Sequence, residues 1–252
     1  MLTHRNVINN GRFVGTRMHL TREDVICCAP PLFHCFGLVM GYLSSLAHGC
    51  SIVFPSDAYD ASATLDAIDS ERCTTLLSVP TMFIAQLDSI KSKPYKITTI
   101  RKGLAAGSMV PSSLLRRLDK ELNVRGLLIC YGMTETSPVS FMMELHDSPH
   151  RLRGGLGKIM PHTSAKVIDR AGNVVPRGYR GELCTAGYPV MKGYLANEKA
   201  TNELMRQDEA GTTWVHTGDE CVIDEEGYCE ITGRIKDLII RGKHRCSFKM
   251  LR

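Results

Sequence analysis

The chain contains ten cysteines but no Cys-x-x-Cys pair, and Cys27 and Cys28 are adjacent, so no spacing suits a shared zinc ion. Most of them lie in apolar runs such as Val25-Ile26-Cys27-Cys28-Ala29 and Leu128-Ile129-Cys130. Buried free thiols in a reducing compartment are the expectation, not a disulfide framework. A bilayer-spanning run is also lacking: Phe36–Ala47 is interrupted by Gly and Ser and falls short of the ~20 apolar residues a span needs. Met1 leads directly into the polar Thr3-His4-Arg5-Asn6, so a secretory leader is not expected. The body lacks surplus charge of either sign. Gly233–Arg252 holds seven Lys/Arg against the single acid Asp237, which leaves 24 bases and 25 acids in residues 1–232. The overall +5 therefore belongs to the tail and supports no nucleic-acid footprint on the body. Internal repeats and low-complexity segments are absent as well.

What is present is globular in composition, with 43% hydrophobic and 23% charged residues over 252 positions. Apolar strands alternate with helix-like segments through the first half. Asp24–Ala29, Ser51–Phe54, Thr75–Val79, Arg101–Ala106 and Gly126–Cys130 read as short buried strands bounded by charge, proline or glycine. Asp60–Arg72 reads as an amphipathic helix on Ala61, Leu65, Ala67 and Ile68. Pro80 opens a second helix over Thr81–Ile90, and Pro111–Leu122 is a third. Repeated β-then-α units predict a mostly parallel sheet layer with flanking helices. Past Gly154-Gly155 the texture changes. Ala165–Asp169, Gly181–Thr185, Glu220–Ile223 and Tyr228–Thr232 are separated by turn formers such as Ala171-Gly172-Asn173 and Asp224-Glu225-Glu226-Gly227, as in a small antiparallel β unit. The expected organisation is an α/β part over 1–153, a β-rich subdomain over 154–232, and a short basic tail over 233–252.

Four segments combine residue types suited to chemistry. Strand Leu127–Cys130 runs into Tyr131-Gly132-Met133-Thr134-Glu135, and the end of such a strand is where α/β folds place ligands. Ala105-Ala106-Gly107-Ser108 follows another strand end. Thr217-Gly218-Asp219 is followed by Gly233-Arg234-Ile235-Lys236-Asp237, and Pro31-Leu32-Phe33-His34-Cys35-Phe36-Gly37 follows the first strand. Each has a plain structural explanation alone: an exposed turn, a helix lead-in, a surface Asp–Arg pair of little worth, a core histidine. Motifs this short also arise by chance.

Taken together, in this order and spacing, they resemble the adenylate-forming (AMP-binding) acyl-CoA synthetases, which join a carboxylate to ATP and then to a thiol. The resemblance runs from Leu2 to about Gly242. It implies that Tyr131 stacks on the adenine, Gly132 permits close backbone approach, Thr134 offers its hydroxyl to phosphate, and Glu135 is a hard oxygen ligand for Mg²⁺. It implies that Ala106, Gly107 and Ser108 line the adenine and acyl pocket, and that Asp219 and Arg234 hold the ribose hydroxyls with Ile231 packed nearby. His34 becomes a gate between the acyl and CoA sites, and Lys236 the hinge for a C-terminal domain. Gly181-Glu182-Leu183-Cys184 and Gly187–Tyr194 match a segment read as mainly structural, with Glu182 fixing a neighbouring loop. ATP, Mg²⁺ and CoA are the implied cofactor and co-substrates, and a carboxylic acid, fatty by resemblance, the implied partner.

The resemblance also implies that two parts are missing. The Ser/Thr/Gly-rich phosphate loop would precede Leu2, and the match stops after Gly242, before the lysine-bearing C-terminal domain. The expectation is a partial N-terminal domain with no useful ligase turnover alone and poor solubility from exposed strand edges. An aryl-CoA ligase or luciferase-like enzyme remains an alternative within the family. A non-catalytic nucleotide- or acyl-binding remnant, or a truncated gene product, is the alternative outside it, and a basic interaction tail rests only on residues 243–252. The expected location is intracellular: cytoplasmic, or peroxisomal or mitochondrial if the true termini carry a signal. Acyl chain and oligomeric state are not legible.

Overall fold

The computed structural model describes residues 1–93, 95–107, 110–148, 151 and 155–235, and the backbone of 239–241 and 244–246. The chain opens with α1 (His4–Arg17), started by a capping box in which Thr3 Oγ1 accepts from the Asn6 N–H at 3.2 Å and Asn6 Oδ1 accepts from the Thr3 N–H at 2.7 Å. β1 (Val25–Cys28) follows, then a π-helical segment, Phe36–Leu43, continuing into α2 (Ser44–His48). β2 (Ser51–Val53), α3 (Ala61–Ser70), β3 (Thr75–Ser78), α4 (Pro80–Ser89), β4 (Lys102–Ala105), α5 (Ser112–Leu122) and β5 (Gly126–Gly132) complete the first half. Local signals set these boundaries. Asp60 accepts from the Ala63 N–H at 2.7 Å to cap α3, Pro80 is the first residue of α4, and Asn123 ends α5 at φ 55°.

β6 (Val139–Met142), β7 (Gly155–Ile159), β8 (Thr163–Ile168), β9 (Gly181–Gly187), α6 (Glu198–Leu204), β10 (Met205–Gln207), β11 (Thr213–Ile223) and β12 (Tyr228–Arg234) follow, with a separate hairpin of β13 (Ile239–Arg241) and β14 (His244–Cys246). The turn residues between the late strands behave as expected: the Gly227 N–H bonds to the Asp224 carbonyl at 3.0 Å, and the Gly172 N–H to that of Asp169 at 3.1 Å.

Among the described residues, one hydrogen-bonded path orders the strands β2-β1-β3-β4-β5-β6-β7-β12-β11-β9-β8, with β10 on β11. Pairing is parallel from β2 to β5 and antiparallel from β5–β6 onward. The sheet is thus mostly parallel in its first half, and the switch falls at β5, ahead of the change in sequence texture. Both faces of the parallel strands are covered, as the pleat requires of a buried sheet. Cys27, Leu76, Ala105 and Ile129 point to α3, α4 and α5, where Leu65, Ile68, Phe83, Leu87, Leu114 and Leu118 meet them. Ile26, Cys28, Leu77, Leu104, Leu128 and Cys130 point the other way, toward Val14, Met18, Phe36 and Met40. A third cluster, Phe141, Val167, Leu183, Cys221 and Cys229, packs the antiparallel part. The nine cysteines of the described residues are free, seven of them buried. No helix among the described residues is long and apolar enough to cross a membrane.

The parallel layer carries one buried charge cluster. Asp24 is fully buried, with Lys102 Nζ 2.9 Å from Oδ2 and Arg101 Nη2 2.9 Å from Oδ1. The Thr21 N–H and the Thr74 hydroxyl complete its shell at 2.9 and 2.8 Å. Burial by itself would raise the carboxyl pKa, but these donors and the Lys102 charge outweigh it and hold the group at about 2.

Candidate active site

Several of the expected site residues lie at the carboxyl ends of β4 and β5. β4 ends at Ala105. Ala106 is buried and Gly107 turns the chain at φ 87°. Ser108 lies outside the described residues. β5 extends through Gly132, and its last residues pair antiparallel with β6. Gly132 is obligatory for a local reason: a Cβ there would lie 1.7 Å from the Pro138 carbonyl oxygen. The close backbone approach expected at this glycine is made by the chain's own return strand.

Thr134–Thr136 form a single tight turn in which Thr134 is exposed. The segment after β1 comes to meet it, with Cys35 Sγ 3.8 Å from Thr134 Oγ1. Burial raises the pKa of the Cys35 thiol, so it faces Thr134 in its neutral form. His34 is exposed in the same segment, and its Nδ1 accepts from the Phe36 N–H at 3.0 Å, which leaves Nε2 free to face outward. Phe33 is 94% exposed beside it.

On the antiparallel side, Asp219 of β11 is buried opposite Arg234 of β12. Arg234 Nε lies 3.0 Å from Oδ1, and the Tyr131 hydroxyl donates to Oδ2 at 2.6 Å. Burial first, and the Asp219 charge second, push the Tyr131 phenol well above its ordinary range, so it remains a donor. A carboxylate has about four acceptor positions, and among the described residues two side-chain donors, Tyr131 and Arg234, fill two of those of Asp219. Ile231 and Tyr131 pack against the same apolar cluster. The irregular stretch of β11 before Asp219 is fixed from β9: Glu182 Oε1 accepts from the Gly218 N–H at 3.1 Å, and the Thr217 hydroxyl donates to the Leu183 carbonyl at 2.8 Å. Gly218 takes φ 72°, which a side chain would strain. His216 Nδ1 lies 3.4 Å from Glu182 Oε2 and 3.6 Å from Cys184 Sγ, so these three side chains brace one another between β9 and β11.

Glu135 is half-buried and tied to a loop that sequence reasoning treated as structural. The Tyr194 hydroxyl donates to Glu135 Oε1 at 2.5 Å, and the Met191 N–H to the Glu135 carbonyl at 2.9 Å. The same loop is held by Ser137, whose hydroxyl donates to the Pro189 carbonyl at 2.6 Å, and by Asn6, whose amide donates to the Tyr188 and Val190 carbonyls. Asn10, also on α1, donates to the Val139 carbonyl at 2.8 Å and accepts from its N–H at 3.1 Å. No local signal links Tyr194 to Glu135.

The fold therefore brings Tyr131, Gly132, Thr134, Glu135, Asp219, Ile231 and Arg234 to one edge, with His34 arriving through the Cys35–Thr134 contact. Lys236 lies outside the described residues. A basic cavity of about 490 Å³ lined by Arg72, Arg101, Arg125 and Asn123 opens at the opposite, amino ends of β3–β5 and shares no residue with this edge.

The sequence profile of the AMP-binding enzyme family matches residues 1–195. The chain is 52% identical over 242 residues to acyl-CoA ligase sidI of Aspergillus fumigatus, covering 96% of this chain and 41% of that protein. It is 39% identical over 246 residues to the mitochondrial medium-chain acyl-CoA ligase ACSF2 of Rattus norvegicus, covering 96% and 39%. Among solved structures, ATP-bound MatB from Rhodopseudomonas palustris superimposes with a TM-score of 0.85 at 29% identity, covering 100% of this chain and 48% of that one. O-succinylbenzoate coenzyme A synthetase of Bacillus subtilis, in complex with ATP and magnesium ion, does so with a TM-score of 0.82 at 28% identity, covering 98% and 49%. The chain thus spans about two fifths of the length of the curated relatives it matches, and it belongs to the AMP-binding enzyme family.

Proposed function

We propose that the chain carries the nucleotide-facing portion of an ATP-dependent acyl-CoA ligase, which converts a carboxylic acid, ATP and CoA into acyl-CoA, AMP and pyrophosphate through an acyl-adenylate. The observation that carries this reading is the Tyr131–Asp219–Arg234 array beside Thr134 and Glu135. In the first half-reaction, Asp219 accepts from the vicinal ribose hydroxyls while Tyr131 and Arg234 hold its carboxylate in place. Thr134 donates its hydroxyl to the α-phosphate, where charge builds as the carboxylate attacks. In the second, a thiol displaces AMP past His34, which is exposed next to Cys35, the residue in contact with Thr134.

The donor set at Glu135 fits Mg²⁺. It offers one carboxylate oxygen without a protein partner among the described residues, beside an exposed hydroxyl, and Mg²⁺ is usually held by one or two carboxylates together with phosphate oxygens and water. When bound, the ion neutralises phosphate charge. Ala106, Gly107 and Ser108 would line the adenine and acyl pocket, and Lys236 would act as the hinge. Residues 154–232 would serve as a β-rich subdomain of the same nucleotide-binding domain. A fatty or other carboxylic acid is the substrate class, and the location that goes with this reading is intracellular: cytoplasmic, or peroxisomal or mitochondrial if the true termini carry a signal.

The test is a chimera in which this chain replaces the matching 242-residue segment of the Aspergillus fumigatus relative, assayed for acid-dependent pyrophosphate release and hydroxamate trapping of the acyl-adenylate. Activity that falls a hundredfold or more with Asp219→Ala supports the reading. A folded chimera that binds ATP no better when the acid is present and releases no pyrophosphate would refute it.

A further inference from the structure

We propose that Tyr194 is a positioning residue for Glu135: its hydroxyl occupies one carboxylate oxygen and so presents the other to a divalent cation. This rests on the reading of Glu135 as a metal ligand and adds a residue to it. Tyr194 OH donates to Glu135 Oε1 at 2.5 Å, the length of a charge-assisted bond. Among the described residues no group donates to Oε2. A carboxylate on a free side chain presents either oxygen in many orientations, whereas one pinned at Oε1 presents Oε2 in one.

The loop that carries Tyr194 is itself fixed, so the pin is not a chance surface contact. The Tyr194 N–H bonds to Thr201 Oγ1 on α6 at 2.9 Å, and Met191, three residues earlier, holds the Glu135 backbone at 2.9 Å. Main chain and side chain of Glu135 are therefore gripped by one segment, anchored to α6 through Thr201, to α1 through Asn6, and to the turn after Glu135 through Ser137. Partners that orient a metal ligand typically contribute 10–100-fold in affinity.

The experiment measures Mn²⁺ binding by electron paramagnetic resonance in the chimera described above, with ATP bound, for the wild-type chain and for Tyr194→Phe, Glu135→Gln and the double variant. Affinity for ATP without metal is measured in parallel. Tyr194→Phe is expected to raise the Mn²⁺ dissociation constant about tenfold or more, leave metal-free ATP affinity unchanged, and add nothing in the Glu135→Gln background. Thr201→Val, which removes the bond to the Tyr194 backbone, is expected to shift Mn²⁺ binding in the same direction by less. Wild-type Mn²⁺ affinity in Tyr194→Phe, with affinity lost in Glu135→Gln, overturns the positioning role alone. Equal loss of metal-free ATP affinity in Tyr194→Phe assigns Tyr194 to loop structure instead. Wild-type Mn²⁺ affinity in Glu135→Gln removes the metal-ligand reading, and the proposal with it.

Discussion

The buried Asp24 cluster supplies the sharpest stability test. Asp24→Asn keeps the shape and removes the charge that compensates Lys102, which is 7% exposed and among the described residues otherwise bonds the His19 carbonyl at 2.8 Å. Arg101 is half exposed and can turn to water. Removing one partner of a buried pair costs about 3–5 kcal/mol because the other charge stays buried. The folded pKa of about 2 lies below the ordinary 3.8, so the native state binds fewer protons than the unfolded chain as pH falls through this range. The associated stability is present above pH ~4 and lost as the pH falls through ~2. A depression of nearly two units is worth about 2 kcal/mol, at 1.36 kcal/mol per unit. Urea unfolding midpoints at pH 7 and at steps from pH 5 to 2.5 measure both quantities. The wild type minus Asp24→Asn difference is expected to be large at pH 7 and to shrink on acidification. Asp24→Asn/Lys102→Met, which removes both charges, is expected to recover part of the loss. An Asp24→Asn variant within 0.5 kcal/mol of wild type, or a difference that does not change with pH, would refute the argument.

The remaining expectations follow from individual contacts. Gly132→Ala places a methyl 1.7 Å from the Pro138 carbonyl, so it is expected to lower the melting temperature strongly and abolish ATP binding in the chimera, as checked by calorimetry. Asn10→Ala leaves both backbone groups of Val139 without their buried partner and is expected to cost about 1–3 kcal/mol in chemical unfolding. Leu118→Ala opens a void in the fully buried face of α5 and is expected to cost about 2–5 kcal/mol by the same measurement.

The α/β character, the strands β1–β5 and the helices α3–α5 were legible in the sequence, because continuous apolar runs and 3.6-residue periodicity are local records of burial on two faces and on one. Of the motif residues, Gly107 and Thr134 fall in turns at strand ends as their types suggest, whereas Asp219 and Ile231 lie inside β11 and β12. α1 was not. Its buried face consists of Asn6, Asn10, Gly11, Val14 and Gly15, whose burial is offset by hydrogen bonds to β6 and the 188–190 loop, so no apolar stripe announces it. β11 also begins at Thr213, earlier than the Glu220–Ile223 run suggested, because pairing with β9 and β10 extends it across polar residues. The Asp24–Lys102 pair, the Tyr131–Asp219–Arg234 array and the Tyr194–Glu135 bond join residues 78, 88 and 59 positions apart at their widest side-chain links. Sequence determined which chemical groups this chain possesses and the elements that carry them. Only the tertiary structure decided which oxygen meets which donor, because those distances depend on how strands far apart in the chain lie in one sheet.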